Sequence, residues 1–90
     1  MSVKIKLYGI LRILLKEKEL TLSLSNGTLE DIICEMTDNY GQKVRKELLD
    51  EEGRLDHSYS IFINGERSNE LNTKVAEGNE VVITSMLAGG

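Results

Sequence analysis

The last three residues of the chain, Ala88, Gly89 and Gly90, suit covalent chemistry at a terminal carboxylate. Neither glycine carries a Cβ, so both residues can enter a narrow channel and leave the carboxylate of Gly90 open to attack. The reaction that this favours is activation of the carboxylate as an acyl adenylate, followed by transfer to sulfur or to an amine. A bulky side chain at the end of the chain would obstruct both steps.

A short apolar segment connects the last predicted strand to the glycine pair. Met86 and Leu87 are a short apolar step, and residues 86–90 together can extend at most about 16–18 Å. Glycine also collects at frayed chain ends, so the pair taken alone favours an inert terminus. The position of the pair directly after a rigid strand favours function, and we predict a flexible tail over residues 86–90.

That strand is the last regular element of the chain. Residues 80–84 read Glu-Val-Val-Ile-Thr, a β-branched run that predicts a strand buried on both faces. The N-terminal segment alternates Val3, Ile5 and Leu7 with two lysines, which is the period of a half-buried strand. We place the last strand at the centre of the sheet, beside the first, where both neighbours can hydrogen-bond with it.

One helix is strongly indicated in the middle of the chain. Thr28 is a suitable N-cap, and Gly41 stands where a helix commonly ends in a residue with positive φ. Between them, apolar residues recur at the helical period. They are Leu29, Ile32, Ile33, Met36 and Tyr40.

The other elements are shorter. Alternating leucines at 20, 22 and 24 predict a second strand, residues 58–63 predict a third, and Val44 and Leu48 fit a short second helix. This order gives an α+β fold with a mixed sheet of four to five strands on one main helix. We expect residues 1–90 to form a single domain.

Composition narrows the classes of function. The net charge of −4 and the pI of about 5.0 disfavour nucleic acid and anionic membranes as partners. The chain has no apolar run long enough for a membrane span, and its start does not resemble a signal peptide. We therefore expect a cytoplasmic protein with neither partner.

Three further side chains need an interpretation. Cys34 borders the apolar face of the helix, and a buried, inert thiol is the favoured interpretation. His57 lies in a polar segment without a second ligand, so we expect it to be solvated and expect no metal site. Phe62 alternates with Ile61 and Ile63. It either faces away from the helix, as an interface residue, or belongs to the core.

The chain resembles the small subunit of molybdopterin synthase and the thiamine sulfur carrier, which are ubiquitin-like β-grasp proteins. The likeness rests on VKIKLYGILRILL at the start, TLEDIICEM in the helix, SYSIFINGE in the third strand, GNEVVIT in the last strand and the terminal LAGG. It implies a β-grasp fold whose central last strand leads into the Gly-Gly tail. Where the family often has a proline pair before the tail, this chain reads Thr84-Ser85-Met86.

The resemblance also implies a function. An adenylating enzyme of the ubiquitin-activating type would charge Gly90 with ATP, and the transient acyl adenylate would become a thiocarboxylate. The tail, with Ala88 and Gly89, would then insert into the large subunit of a molybdopterin synthase. Phe62, Met86 and Leu87 are candidates for partner docking. We expect no catalytic residue and no permanently bound cofactor.

Two alternatives use the same tail. The chain could supply sulfur to thiamine synthesis or another pathway, although the segment between Gly41 and His57 is longer than thiamine carriers usually have. It could also be a protein modifier that is joined to lysines through Gly90. A third class, an interaction module with an inert tail, would not need Gly89 or Gly90.

Overall fold

The computed structural model describes residues 1–85, which form a five-stranded mixed sheet with three helices. Fifteen of the buried apolar side chains come from the strands and the first two helices, and all of the buried apolar side chains share one core cluster. The elements are β1 (Ser2–Leu7), α1 (Ile10–Leu15), β2 (Glu19–Ser23), α2 (Leu29–Tyr40), α3 (Lys43–Leu48), β3 (Tyr59–Ile63), β4 (Glu66–Arg67) and β5 (Glu80–Ser85).

The last strand lies at the centre of the sheet, as the sequence predicts. The strand order is β2-β1-β5-β3-β4, and β5 runs parallel to β1 and antiparallel to β3. Ile5 stands opposite Val81 on one side, and Ile61 stands opposite Ile83 on the other. Because both neighbours hydrogen-bond with it, β5 is fixed along its length up to Ser85.

The main helix α2 begins and ends where the sequence indicates. The Thr28 side chain accepts a hydrogen bond from the Asp31 amide at 3.2 Å, which satisfies one free donor of the first turn. At the other end Gly41 has a φ of 96° and donates its amide to the Thr37 carbonyl at 2.7 Å. Ile32 and Met36 are almost completely buried, so this face of α2 covers the sheet.

Two expectations about the strands need correction. Val81, Ile83 and Ser85 of β5 are buried, but Val82 and Thr84 are only half-buried. The prediction of burial on both faces is therefore wrong, because the alternate face of β5 lacks the helical cover of the core face. The short strand β4, paired with β3 after the Asn64-Gly65 turn, was not predicted.

Candidate functional site

The strand that leads into the tail is held firmly at its end. Ser85 is 5% exposed and stands opposite Tyr59, the first residue of β3. On the other side of β5, the Tyr8 amide donates to the Ile83 carbonyl at 3.0 Å. Residue 85, the last described residue, is therefore fixed by both neighbouring strands.

The tail residues of the sequence prediction lie outside the described residues. Gly90, the predicted site of activation, belongs to this group, as do Ala88 and Gly89, predicted to insert into a partner. The two docking candidates Met86 and Leu87 also belong to it. Their roles stay predictions, and the described structure contributes the strand that ends one residue before them.

Phe62 lies on the face of the sheet opposite the core. Ile61 is 1% exposed and Ile63 packs against the core cluster, whereas Phe62 between them is half-buried and is not part of that cluster. The first of the two interpretations, that Phe62 faces away from the helix, is therefore correct. Whether it binds a partner stays a prediction.

Phe62 is at the middle of a row of directly opposed residues that crosses this open face. Val82 stands between Phe62 and Lys6, and Arg67 stands on the other side of Phe62. An apolar centre with a charged rim is the usual composition of a protein-binding surface. We call Phe62, Val82 and the flanking Lys6 and Arg67 the open-face patch.

Tyr8 extends the apolar part of this face, and the sequence analysis missed it. The residue follows β1 and is 45% exposed, one of three large apolar side chains exposed among residues 1–85. The strand period does indicate this position. Val3, Ile5 and Leu7 point to the core, so Tyr8, the residue after Leu7, points to the opposite face of the sheet. An exposed aromatic ring close to the end of β5 adds to the surface that a partner could contact.

The charged rim of the open face is organised by ion pairs. Lys6 Nζ lies 3.1 Å from a Glu80 oxygen, and Lys4 Nζ lies 3.8 Å from a Glu19 oxygen. The hydrogen bond from Lys6 to Glu80, together with the charge of that carboxylate, raises the pKa of Lys6 above its ordinary value. The ion pair therefore places a cation and an anion side by side at this rim.

Cys34 is placed differently from the expectation. It is half-buried rather than buried, and its Sγ lies 3.1 Å from Nη2 of Arg45, which also contacts a Glu30 oxygen at 2.8 Å. Arg45 comes from α3, so this cluster joins α3 to α2. The hydrogen bond with Glu30 raises the pKa of Arg45 above its ordinary value, and the guanidinium bridges the two helices.

His57 is exposed, as the sequence indicates. It lines a surface cleft of about 600 Å³ together with Arg54 and Arg67. Among residues 1–85, no group of three or more His, Cys, Asp and Glu side chains is arranged to hold a metal ion. None of the described helices has the length and apolar character needed to cross a membrane.

The structure is similar to several solved structures. SAMP1 from Haloferax volcanii matches with a TM-score of 0.86 and 19% identity over 100% of both chains. CysO from Mycobacterium tuberculosis matches with a TM-score of 0.76 and 29% identity over 92% of this chain and 97% of that one. A putative molybdopterin converting factor subunit 1 from Pyrococcus furiosus matches with a TM-score of 0.72 and 21% identity, over 94% of this chain and 97% of that one.

Other similar chains were solved in complexes. One is a BexX/CysO complex from Amycolatopsis orientalis, with 25% identity and a TM-score of 0.76. Another is a complex of subunits 1 and 2 of the molybdopterin-converting factor from Helicobacter pylori, with 18% identity and a TM-score of 0.62. No family model and no curated protein sequence matches the chain.

The arrangement of the sheet and the comparisons agree. The sequence resemblance implies a central last strand, a main helix across one face of the sheet and a Gly-Gly sequence after the strand, and the first two are observed in the described residues. The solved structures share this fold over 92–100% of the chain. The chain therefore has the ubiquitin-like β-grasp fold, and its structure is similar to those of SAMP1, CysO and a molybdopterin converting factor subunit 1.

Proposed function

We propose that the chain carries sulfur as a thiocarboxylate on Gly90 and donates it in molybdopterin synthesis, as the small subunit of a molybdopterin-synthase-type complex. The observation that supports this most is that β5, fixed at the centre of the sheet, ends at Ser85 directly before the tail that contains Ala88-Gly89-Gly90. A rigid strand followed by a narrow tail lets the domain dock on a partner while Gly90 enters the partner's active site.

The proposed charging occurs in two steps. A carboxylate oxygen of Gly90 attacks the α-phosphorus of ATP in the adenylating enzyme, and pyrophosphate leaves. A hydrosulfide equivalent from a sulfur donor then attacks the carbonyl carbon, and the bond to AMP breaks with its electron pair on AMP. The products are the thiocarboxylate, AMP and a proton, and the carboxyl carbon is not oxidised or reduced.

On this proposal the chain performs no catalysis of its own. It supplies the nucleophilic sulfur, and the open-face patch with Phe62 at its centre is the docking surface, with Met86 and Leu87 as further contacts. The partners are an adenylating enzyme of the ubiquitin-activating type and a molybdopterin synthase large subunit. The complex between the two subunits from Helicobacter pylori supports a partner of the second kind.

A second candidate function is protein modification through Gly90. It is favoured by the similarity to SAMP1, a small archaeal modifier protein; the chain from Methanosarcina acetivorans is 28% identical. Sulfur donation to thiamine synthesis or another pathway is a further alternative, because the same charged tail serves every acceptor. Conjugates on lysines in cell extract that disappear when Gly90 is deleted would favour the modifier.

The test is to co-express the chain with an adenylating enzyme and a sulfur donor and to measure the masses of the intact chain and its C-terminal peptide. Exchange of oxygen for sulfur is nearly equal in mass to oxidation of Cys34 or of a methionine. The gain must therefore be localised to the C-terminal peptide, and a thiol-reactive alkylator must add at Gly90. A chain without Gly90 is the control.

The proposal predicts a gain confined to the tail, absent from the chain that lacks Gly90. That deletion should leave the melting temperature unchanged, since the proposal gives residues 86–90 no part in the core. An unmodified tail, under conditions that charge an established carrier, would contradict the sulfur-carrier proposal. A large fall in melting temperature on deletion of Gly90 would show instead that the tail is structural.

A further inference from the structure

The turn between β1 and α1 packs directly against the last described residue of β5. A Cβ at Gly9 would lie 2.8 Å from the Cβ of Ser85 and 3.2 Å from its backbone nitrogen. The first distance is shorter than Cβ atoms show in real structures. Any residue other than glycine at this position must therefore displace the backbone of Ser85 or of the turn.

Two neighbouring features restrict how that conflict can be relieved. Gly9 has a φ of 74° and a ψ of −142°, a conformation that is almost restricted to glycine. Across β5 from Gly9, Ser85 stands opposite Tyr59, which is 1% exposed and donates a 2.5 Å hydrogen bond to Glu47 of α3. Ser85 is therefore confined between the β1–α1 turn and the anchored start of β3.

We propose that Gly9 is a positioning residue for the reaction at Gly90, an inference that rests on the proposed function. Because Gly9 lacks a Cβ, the β1–α1 turn can approach Ser85 closely and fix the position and direction of the residue that precedes the tail. Five residues span at most about 16–18 Å, so a partner that binds the tail extended would pass a shift of its starting point on to Gly90. In an active site, a misplacement of about 1 Å can lower the rate by about a hundredfold.

The chain offers matched controls for a Gly9→Ala variant. Gly27 has a φ of 71°, and a Cβ there would lie 2.9 Å from the end of the exposed Met1 side chain and 3.0 Å from the Val75 carbonyl oxygen. Gly27→Ala therefore combines the same unfavourable backbone conformation with a milder steric conflict, away from Ser85. Gly65 has a φ of 88° but nothing within 4 Å, so Gly65→Ala isolates the effect of the backbone conformation.

The experiment measures ATP–pyrophosphate exchange by an adenylating enzyme that charges the wild-type chain. Gly9→Ala should lower kcat by about 10- to 100-fold and leave KM nearly unchanged, because the open-face patch is intact. Gly27→Ala should leave kcat unchanged even where it lowers the melting temperature as much. Adding Ser85→Gly, which removes the crowded Cβ, should restore much of the kcat that Gly9→Ala loses, relative to Ser85→Gly alone.

A second readout does not depend on activity. Residual dipolar couplings of the Thr84 and Ser85 amides should change in Gly9→Ala and stay unchanged in Gly27→Ala. Unchanged couplings in Gly9→Ala, or changed couplings with an unchanged kcat, would overturn the inference. A wild-type chain that no such enzyme charges would refute the proposed function instead, while the couplings would still decide whether Gly9 sets the position of Ser85.

Discussion

Replacing Tyr59 by phenylalanine tests how much the hydrogen bond between β3 and α3 stabilises the fold. The buried Tyr59 hydroxyl donates to Oε2 of Glu47 at 2.5 Å, and this hydrogen bond joins β3 to α3. A hydrogen bond to a charged group contributes about 1.5–3 kcal/mol. Because Glu47 is only half-buried and regains water when the hydroxyl is removed, we expect the variant to lose about 1–2 kcal/mol at neutral pH.

The same hydroxyl makes the effect depend on pH. Burial, followed by the hydrogen bond and the charge of Glu47, raises the pKa of Tyr59 above its ordinary value of 10.0. Above that pH the unfolded chain loses the phenolic proton while the folded chain keeps it, so the free energy of unfolding falls. The advantage of wild type over Tyr59→Phe is therefore complete below pH 10 and decreases above it, by at most about 1.4 kcal/mol per pH unit.

The assay is urea unfolding followed by far-ultraviolet circular dichroism. It is carried out at pH 7, at pH 9 and at about pH 10.5, which is half a unit above the ordinary phenol pKa. Tyr8→Phe is the control, since it removes a hydroxyl from a ring that is 45% exposed and should change stability little at any of these values. A difference between wild type and Tyr59→Phe that stays constant across the series would refute the assignment of a protonated, buried phenol. A difference near zero at pH 7 would refute the stabilising role of the hydrogen bond to Glu47.

Two further substitutions test the core and the docking face. Ile32→Ala should lower the free energy of unfolding by about 2–5 kcal/mol, because the side chain on α2 is only 1% exposed. The control is Ile13→Ala, which should lower the free energy of unfolding little because the Ile13 side chain is 75% exposed. Equal losses in the two variants would contradict the assignment of Ile32 to the core. Phe62→Ser should raise the KM of the adenylating enzyme for the chain and have little effect on the free energy of unfolding. The control Ile61→Ser should mainly destabilise the fold. An unchanged KM in Phe62→Ser would show that Phe62 is not part of the docking surface.

The elements that the sequence predicts correctly are those specified by local signals. The cap at Thr28, the apolar period of α2 and the positive φ of Gly41 all act within a few residues, so the pattern alone defines the helix. The central position of β5 is a longer-range conclusion, but it follows from its β-branched composition and from the need to bury it. Composition could not show that helices cover only one face, which leaves Val82 half-buried.

The misplaced features depend on contacts between distant segments. The spacing along α2 shows that Cys34 borders the buried face, but it cannot show that Arg45 of α3 lies 3.1 Å from its sulfur. The charged guanidinium keeps this side of α2 polar and partly open. The strand β4 was missed for a different reason, because two charged residues, Glu66 and Arg67, are too few to show a strand period.

The candidate site divides in the same way. The proposed chemistry of the tail involves consecutive residues, so the sequence alone predicts Gly90 as its reactive position. The support of the tail is not local, because Gly9 and Tyr59 reach Ser85 from opposite neighbours of β5. In the sequence, Gly9 indicates only the end of a strand. The structure shows in addition that a Cβ at this position would collide with Ser85. If Gly9 positions the tail for the reaction at Gly90, substitutions at Gly9 and at Gly90 should both impair adenylation of the chain, although the two residues lie near opposite ends of the sequence.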